Sequence, residues 1–168
     1  MKNIKLTLLA LLLMLTAAKA QTPTVKGSMT DILTAYLNLK NALVADNGSD
    51  AAAKAKILNS KVTGVPAESM TPAQQGTWKK YADKLSFDSR HISETTAIDH
   101  QREHFASLSK NVYEVVKAFG ANTAPVYWQY CPMKKQSWLS DKTAIENPYY
   151  GKEMLDCGSV KETIKVAK

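Results

Sequence analysis

The sequence predicts an all-α fold, an antiparallel four-helix bundle closed by an irregular C-terminal cap rich in Cys, Met and aromatic residues. Three observations predict it. Apolar residues recur at helical spacing over most of residues 30–119. Short polar loops join the periodic segments, as in an antiparallel bundle. Beyond Pro125 the periodicity gives way to closely spaced Pro, Gly and aromatic side chains.

Ahead of the bundle, Lys2 and Lys5 precede an apolar run from Leu6 to Ala18, and Ala18-Lys19-Ala20 supplies a small-x-small pattern. This is the arrangement of a cleavable signal peptide over residues 1–20, cut before Gln21. The run is short for a membrane span, and no Cys follows it to carry a lipid anchor. The expected location is the periplasm, with the chain not membrane-embedded after cleavage. Loss of Lys2, Lys5 and Lys19 lowers the formal net charge from +7 to +4. The remaining excess is scattered, which favours solubility and argues against nucleic acid as a partner. Residues 21–29 read as a flexible leader, and residues 30–168 as a single helical domain.

The first helix is expected from Thr30, whose hydroxyl can cap the first turn, with Ile32, Leu33, Tyr36, Leu37, Leu43 and Val44 as its stripe. Asn47-Gly48 ends it. Ser49 caps a second helix, with Ala52, Ala55, Leu58 and Val62 on one face, stopped by Gly64 and Pro66. Thr71-Pro72 starts a third, running to about Phe87 with Trp78, Tyr81 and Leu85 inward. The fourth spans Ser93 to Phe119, with Gly120 as its C-cap. After it, Val126-Tyr127-Trp128-Gln129-Tyr130 is rich in strand formers but short, and the segment reads as irregular chain packed on the bundle with room for one hairpin.

Cys131 and Cys157 carry most of the functional argument, and the residues alone leave two readings open. An oxidising compartment favours a structural disulfide that closes a long loop. Met133, two residues after Cys131, and Met154, three before Cys157, offer a different set. Two thiolates and two thioethers select Cu(I) or Ag(I) over Zn(II) or Mg(II).

His100 and His104 lie four apart and project from one helix face. Gln101 stands where a zincin needs its glutamate, so the stretch does not support metalloprotease chemistry. His104, beside Phe105 on the inward stripe, is the better candidate ligand, and His91 and His100 read as exposed polar residues. No nucleophile elbow, phosphate loop or Cys–His–Asn signature is present in the sequence, so no enzyme is expected.

Longer motifs carry a resemblance. They are Gln101-Arg102-Glu103-His104-Phe105 with Leu108-Ser109, Tyr130-Cys131-Pro132-Met133, Trp138-Leu139-Ser140, and Asn147-Pro148-Tyr149-Tyr150-Gly151 through Met154, Cys157 and Gly158. By these, from about Tyr36 to Ile164, the chain resembles the bacterial family called domain of unknown function 3347. That family occurs as small secreted proteins and as the C-terminal module of periplasmic adaptors in copper/silver efflux systems. Tyr130-Cys131-Pro132-Met133 is also similar to the core of heavy-metal-binding modules, with Lys134 and Lys135 standing where that core has His-Pro.

The resemblance implies heavy-metal handling and tips the two readings of the cysteines. The expectation becomes a periplasmic copper-binding protein holding Cu(I) through Cys131, Met133, Met154 and Cys157, with His104 as a fifth contributor. Its partner would be a metal-efflux adaptor or pump component. The alternative is a protein–protein interaction module with a Cys131–Cys157 disulfide and no metal.

Overall fold

In the computed structural model the described residues are 24–166. The expected signal peptide, and residues 21–23 of the expected leader, lie outside them. The order of elements is four helices followed by three strands: α1 Val25–Val44, α2 Gly48–Thr63, α3 Pro72–Ser93, α4 Ile98–Phe119, β1 Val126–Cys131, β2 Gln136–Ser140 and β3 Ser159–Ile164. Single 3-10 turns sit at Ala67–Ser69 and Gly151–Glu153. Among the described residues no helix is long and apolar enough to cross a membrane.

Each helix packs on the next, and α4 returns to α1. Their buried stripes form one core, including Ile32, Leu39, Leu43, Leu58, Leu85, Ile92, Phe105, Leu108 and Val112. Each such side chain contributes about 1.5–3 kcal/mol on leaving water. The helix ends are chemically marked. Asn47 caps α2 through the Asp50 N–H at 3.0 Å. Thr71 and Gln74 exchange the reciprocal bonds of a capping box, with Pro72 at the first position of α3. Gly120 closes α4 in the left-handed conformation at φ 58°.

Several helix boundaries differ from the sequence expectation: Asn47, not Ser49, caps α2, and α4 starts at Ile98, not Ser93. Thr24, not Thr30, caps α1, its hydroxyl accepting from the Gly27 N–H at 3.1 Å, so residues 24–29 are helix start and not leader. Thr30 instead donates to the Ala121 carbonyl at 2.7 Å, tying α1 to the far end of α4. The α3 helix continues past Phe87 to Ser93 because Ile92 is fully buried and extends the stripe by another turn. The carbonyls released at its end are satisfied by Gln101, whose amide nitrogen reaches Ile92 O at 3.3 Å and Thr95 O at 2.6 Å.

The all-α class is overturned by the C-terminal segment. It is a three-stranded antiparallel sheet of order β2-β1-β3, so the fold is mixed α and β and the cap is regular structure. The reasons for the misreading are physical. The register between β1 and β3 shifts at Trp128 and Gln129, which pair with Glu162 and Val160, so Lys161 is the extra residue of a bulge that breaks the period-2 pattern of β3. The β3 edge strand, Ser-Val-Lys-Glu-Thr-Ile, is mostly exposed and has no apolar face to announce it. It is held by its ladder to β1 and by Glu162, which accepts from the Tyr113 hydroxyl at 2.5 Å and from Lys117 at 3.1 Å.

The sheet docks on the bundle through β2 against α4 and α1. Tyr36 of α1 forms the joint. Its ring is wholly buried and stacks on Phe105 of α4 with centroids 5.2 Å apart. Its hydroxyl pairs with Ser109 Oγ at 2.8 Å and accepts from the Leu139 N–H of β2 at 3.1 Å. Tyr36→Phe keeps the stack and leaves two buried groups without that partner. It should cost about 1–3 kcal/mol in denaturant unfolding and lower the exchange protection of the Leu139 amide. An unchanged stability would show that the hydroxyl does not join sheet to bundle.

A polar clasp holds the loop between β2 and β3. Arg102 of α4 ion-pairs with Asp46 and donates to the Pro148 carbonyl at 2.8 Å, while Asp46 also accepts from the Lys152 N–H at 3.0 Å. Gly151 sits against this clasp at φ +55°, where a Cβ would strike the Asp46 carboxylate and the Arg102 guanidinium. Gly151→Ala combines that clash with an unfavourable backbone and should destabilise by more than about 1 kcal/mol. A midpoint equal to that of the parent chain in urea would refute the clasp.

Candidate functional site

The hairpin β1–β2 and the loop before β3 bring Cys131 and Cys157 together. Cys131 closes β1 and is fully buried, whereas Cys157 is half-buried. Both thiols are free, with Sγ atoms 3.2 Å apart. The turn Pro132–Lys135 after Cys131 aims its backbone at them, the Lys134 N–H reaching Cys131 Sγ at 3.5 Å. Lys135 closes that turn at a positive φ of 55°.

Asn147 fixes the other side. Its side-chain amide donates to the Cys157 carbonyl at 2.7 Å, and its Oδ1 accepts from the Tyr149 N–H at 2.8 Å. The Asn147 N–H donates to Leu155 O at 2.8 Å, and its carbonyl accepts from Gly151 at 2.9 Å. The Asn147-Pro148-Tyr149-Tyr150-Gly151 motif is thus the scaffold of the cysteine loop. Tyr149 anchors it, its ring against Phe105 and Trp138 and its hydroxyl donating to Ser137 O at 2.8 Å.

These surroundings separate the two thiols electrostatically. Burial raises the Cys131 thiol, but the Lys134 N–H, the Cys157 thiol, the Asn147 amide and the Met133 N–H outweigh it. The thiol is brought below its ordinary value. Cys157 moves the other way, raised first by donating to Cys131, then by burial and by the charge on its neighbour. The donors around Cys131 thus favour its thiolate, while Cys157 is favoured as the thiol that donates to it.

The methionines take different places. Met133 stands at the hairpin turn with 66% of its surface exposed. Met154 is half-buried, and its carbonyl accepts from the Cys157 N–H at 3.3 Å, so one tight turn carries both residues.

His104 does not join the sulfur pair. Arg102 and Ala106 face the hairpin turn with Lys134 and Gln136. Residue 104 lies about 200° around α4 from each of them. Its ring meets α3 instead: Nδ1 is 3.2 Å from Asp88 Oδ1, and the ring centroid is 4.8 Å from those of His91 and His100. Among the described residues, His91, His100 and His104 are the one group of three His, Cys, Asp or Glu side chains with ligand atoms mutually within reach, all within 4.8 Å. Of the expected five residues, Cys131 and Cys157 are brought together, and His104 sits apart from them with His91 and His100.

With this geometry in place the chain can be set beside known proteins. A model of the family described as Protein of unknown function (DUF3347) matches residues 32–124. The chain belongs to the DUF3347 family. Neither the curated proteins nor the solved structures yield a match. The DUF3347 stretch takes in most of α1, all of α2 to α4 and the link to β1. His91, His100 and His104 fall inside it, and Cys131, Met133, Met154 and Cys157 lie beyond it.

Sequence reasoning set His91 aside because it ended α3 near Phe87, and it noted the spacing of His100 and His104 on one helix face but read His100 as an exposed polar residue. Extending the stripe to Ile92 would have placed His91 in the last turn of α3, opposite the first turns of α4. The chemistry of the sulfur pair is checked by thiolate absorbance. Fully reduced protein should ionise in two steps, one below and one above the value of an isolated thiol. A single step carrying both thiols would contradict the donor arrangement around Cys131.

Proposed function

We propose that the protein is an exported, periplasmic binding protein for a soft monovalent metal ion, Cu(I), serving heavy-metal efflux or homeostasis. The ion is its cargo. The observation that supports this reading is the sulfur separation of 3.2 Å between two free thiols. Two thiolates on one ion, at metal–sulfur distances of about 2.3 Å and a tetrahedral angle, stand roughly 3.8 Å apart. A disulfide requires about 2.05 Å. The pair is closer to the chelating separation, and the Lys134 N–H directed at Cys131 favours its thiolate form.

The donor chemistry fits a soft ion and not Zn(II). Among the described residues no His, Asp or Glu side chain joins the two cysteines in a group of three, so further ligands must be thioethers or solvent. Met154 shares a tight turn with Cys157, and the exposed Met133 is suited to pass the ion on by ligand exchange. The recipient in this reading is an efflux adaptor or pump component that presents its own sulfur ligands. No catalytic step is assigned.

A second reading rests on the same contact. Cys131 ends β1 and Cys157 stands two residues before β3, so a disulfide would staple the weak edge strand to the sheet. The protein would then be an interaction module without metal.

Anaerobic titration separates them. Fully reduced protein should take one Cu(I) per chain in competition with a colorimetric chelator. Cys131→Ser should abolish uptake, and Met133→Leu or Met154→Leu should weaken it with stability within about 1.5 kcal/mol of the parent. The interaction module predicts no stoichiometric uptake and a loss of about 2–4 kcal/mol on reduction. That outcome would remove the metal proposal.

A further inference from the structure

The histidine cluster is unused by the proposed function, and it differs from the sulfur pair in chemistry and in place. His91 sits in the last turn of α3, and His100 and His104 lie one turn apart at the start of α4. Gln101 locks the connection between the two helices, its amide nitrogen reaching the carbonyls of Gly48, Ile92 and Thr95 at 2.9, 3.3 and 2.6 Å. The approach of the three rings is therefore built into the helix hairpin.

One residue of the cluster has a buried supporter. The Asp88 side chain is only 5% exposed, and its hydrogen-bond partner among the described residues is His104 Nδ1 at 3.2 Å. A carboxylate so desolvated is costly unless it is paired, and the pairing here is with His104. With Nδ1 donating to Asp88, the free lone pair of His104 is on Nε2, and the ring is held in one orientation. A carboxylate orienting a ligating imidazole from behind is the recurrent second layer of metal sites. Phe87 covers the cluster on one side, its ring centroid 4.2 Å from that of His91 and 5.8 Å from that of His104.

We infer that His91, His100 and His104, with Asp88 orienting His104, form a binding site for a divalent transition ion of the Zn(II) class. Three imidazole nitrogens are a borderline donor set, which takes Zn(II), Co(II), Ni(II) or Cu(II) and does not favour Cu(I) as thiolates do. Nitrogens bound to one tetrahedral ion at about 2.0–2.1 Å stand roughly 3.3 Å apart. The ligand atoms lie within 4.8 Å of one another, so closure needs only side-chain rotation. His100 supplies that freedom, being 49% exposed and held only by the exposed Glu103 at 3.4 Å. A fourth position is left to water or to an incoming ligand. The site does not depend on the sulfur pair: failure of Cu(I) uptake leaves it standing, and its own failure leaves the Cu(I) proposal standing.

The test uses the full chain, free of any histidine tag, reduced and anaerobic, with Co(II) as probe. One Co(II) per chain should bind with visible ligand-field bands and without the near-ultraviolet charge-transfer band of cobalt–thiolate bonds. Zn(II) should displace it, and Cys131→Ser should leave the spectrum unchanged. His100→Ala removes an exposed side chain from a helix surface, so its melting temperature without metal should match that of the parent. Its Co(II) affinity should nevertheless fall at least about tenfold. Asp88→Asn should weaken binding by about 10–100-fold. Retained affinity in folded His100→Ala, a thiolate charge-transfer band, or no stoichiometric uptake would each overturn the site. If Asp88→Asn fails to fold, the His100→Ala result decides.

Discussion

The hydroxyl of Tyr36 joins helix α1, helix α4 and strand β2 through polar contacts in the core. An ordinary helix–sheet interface needs no such group, because apolar side chains alone would pack it. Here the Leu139 N–H and the Ser109 hydroxyl both point into the buried joint, and the phenol answers both. Such a joint fixes register as well as affinity: sliding the sheet by one residue would leave the phenol and an amide without partners at about 1–3 kcal/mol each. Its desolvation is severe enough to raise the Tyr36 hydroxyl far above its ordinary range, so it stays a neutral donor and acceptor.

From that joint outward, the C-terminal region is held mainly by polar clasps. Lys40 is wholly buried on α1, with its ammonium 3.4 Å from Glu146. Burial lowers its pKa, and Glu146 opposes the shift. Asp46, Arg102 and the Pro148 carbonyl hold the next part of the loop, and Asn147 holds the part after that. The two cysteines meet because this chain of contacts returns the loop to the end of β1. The chemistry of the sulfur pair is therefore a consequence of how the sheet is seated, and the histidine cluster, on the other face of α4, is independent of it.

Much of this was legible in the residues. Four amphipathic helices followed from apolar spacing, and Thr71-Pro72 and Gly120 marked boundaries that the structure keeps. The sheet was not legible, because β3 carries no apolar alternation and is interrupted by a bulge at Lys161. Strands of this kind are defined by their partners, and pairing between residues 126–131 and 159–164 is a long-range fact that local patterns do not encode. At the site, the proximity of Cys131 and Cys157 was readable from their shared company of Met, Pro and aromatics. The grouping of His104 with the sulfurs was not sound, since neighbourhood along a helix gives no information on which face meets which partner. His91 was missed through a single helix end, Ile92 being the apolar residue that carries α3 far enough to set it opposite His100.

Copper K-edge absorption on the protein loaded with one equivalent of Cu(I) tests the account most directly, because it reads the ligand atoms themselves. The account predicts a first shell of sulfur alone, with no imidazole scattering, in the parent and in His104→Ala alike. A shell dominated by nitrogen with the multiple-scattering pattern of histidine would contradict it. The ion would then belong to the cluster between α3 and α4, and the cysteine pair would not be its site.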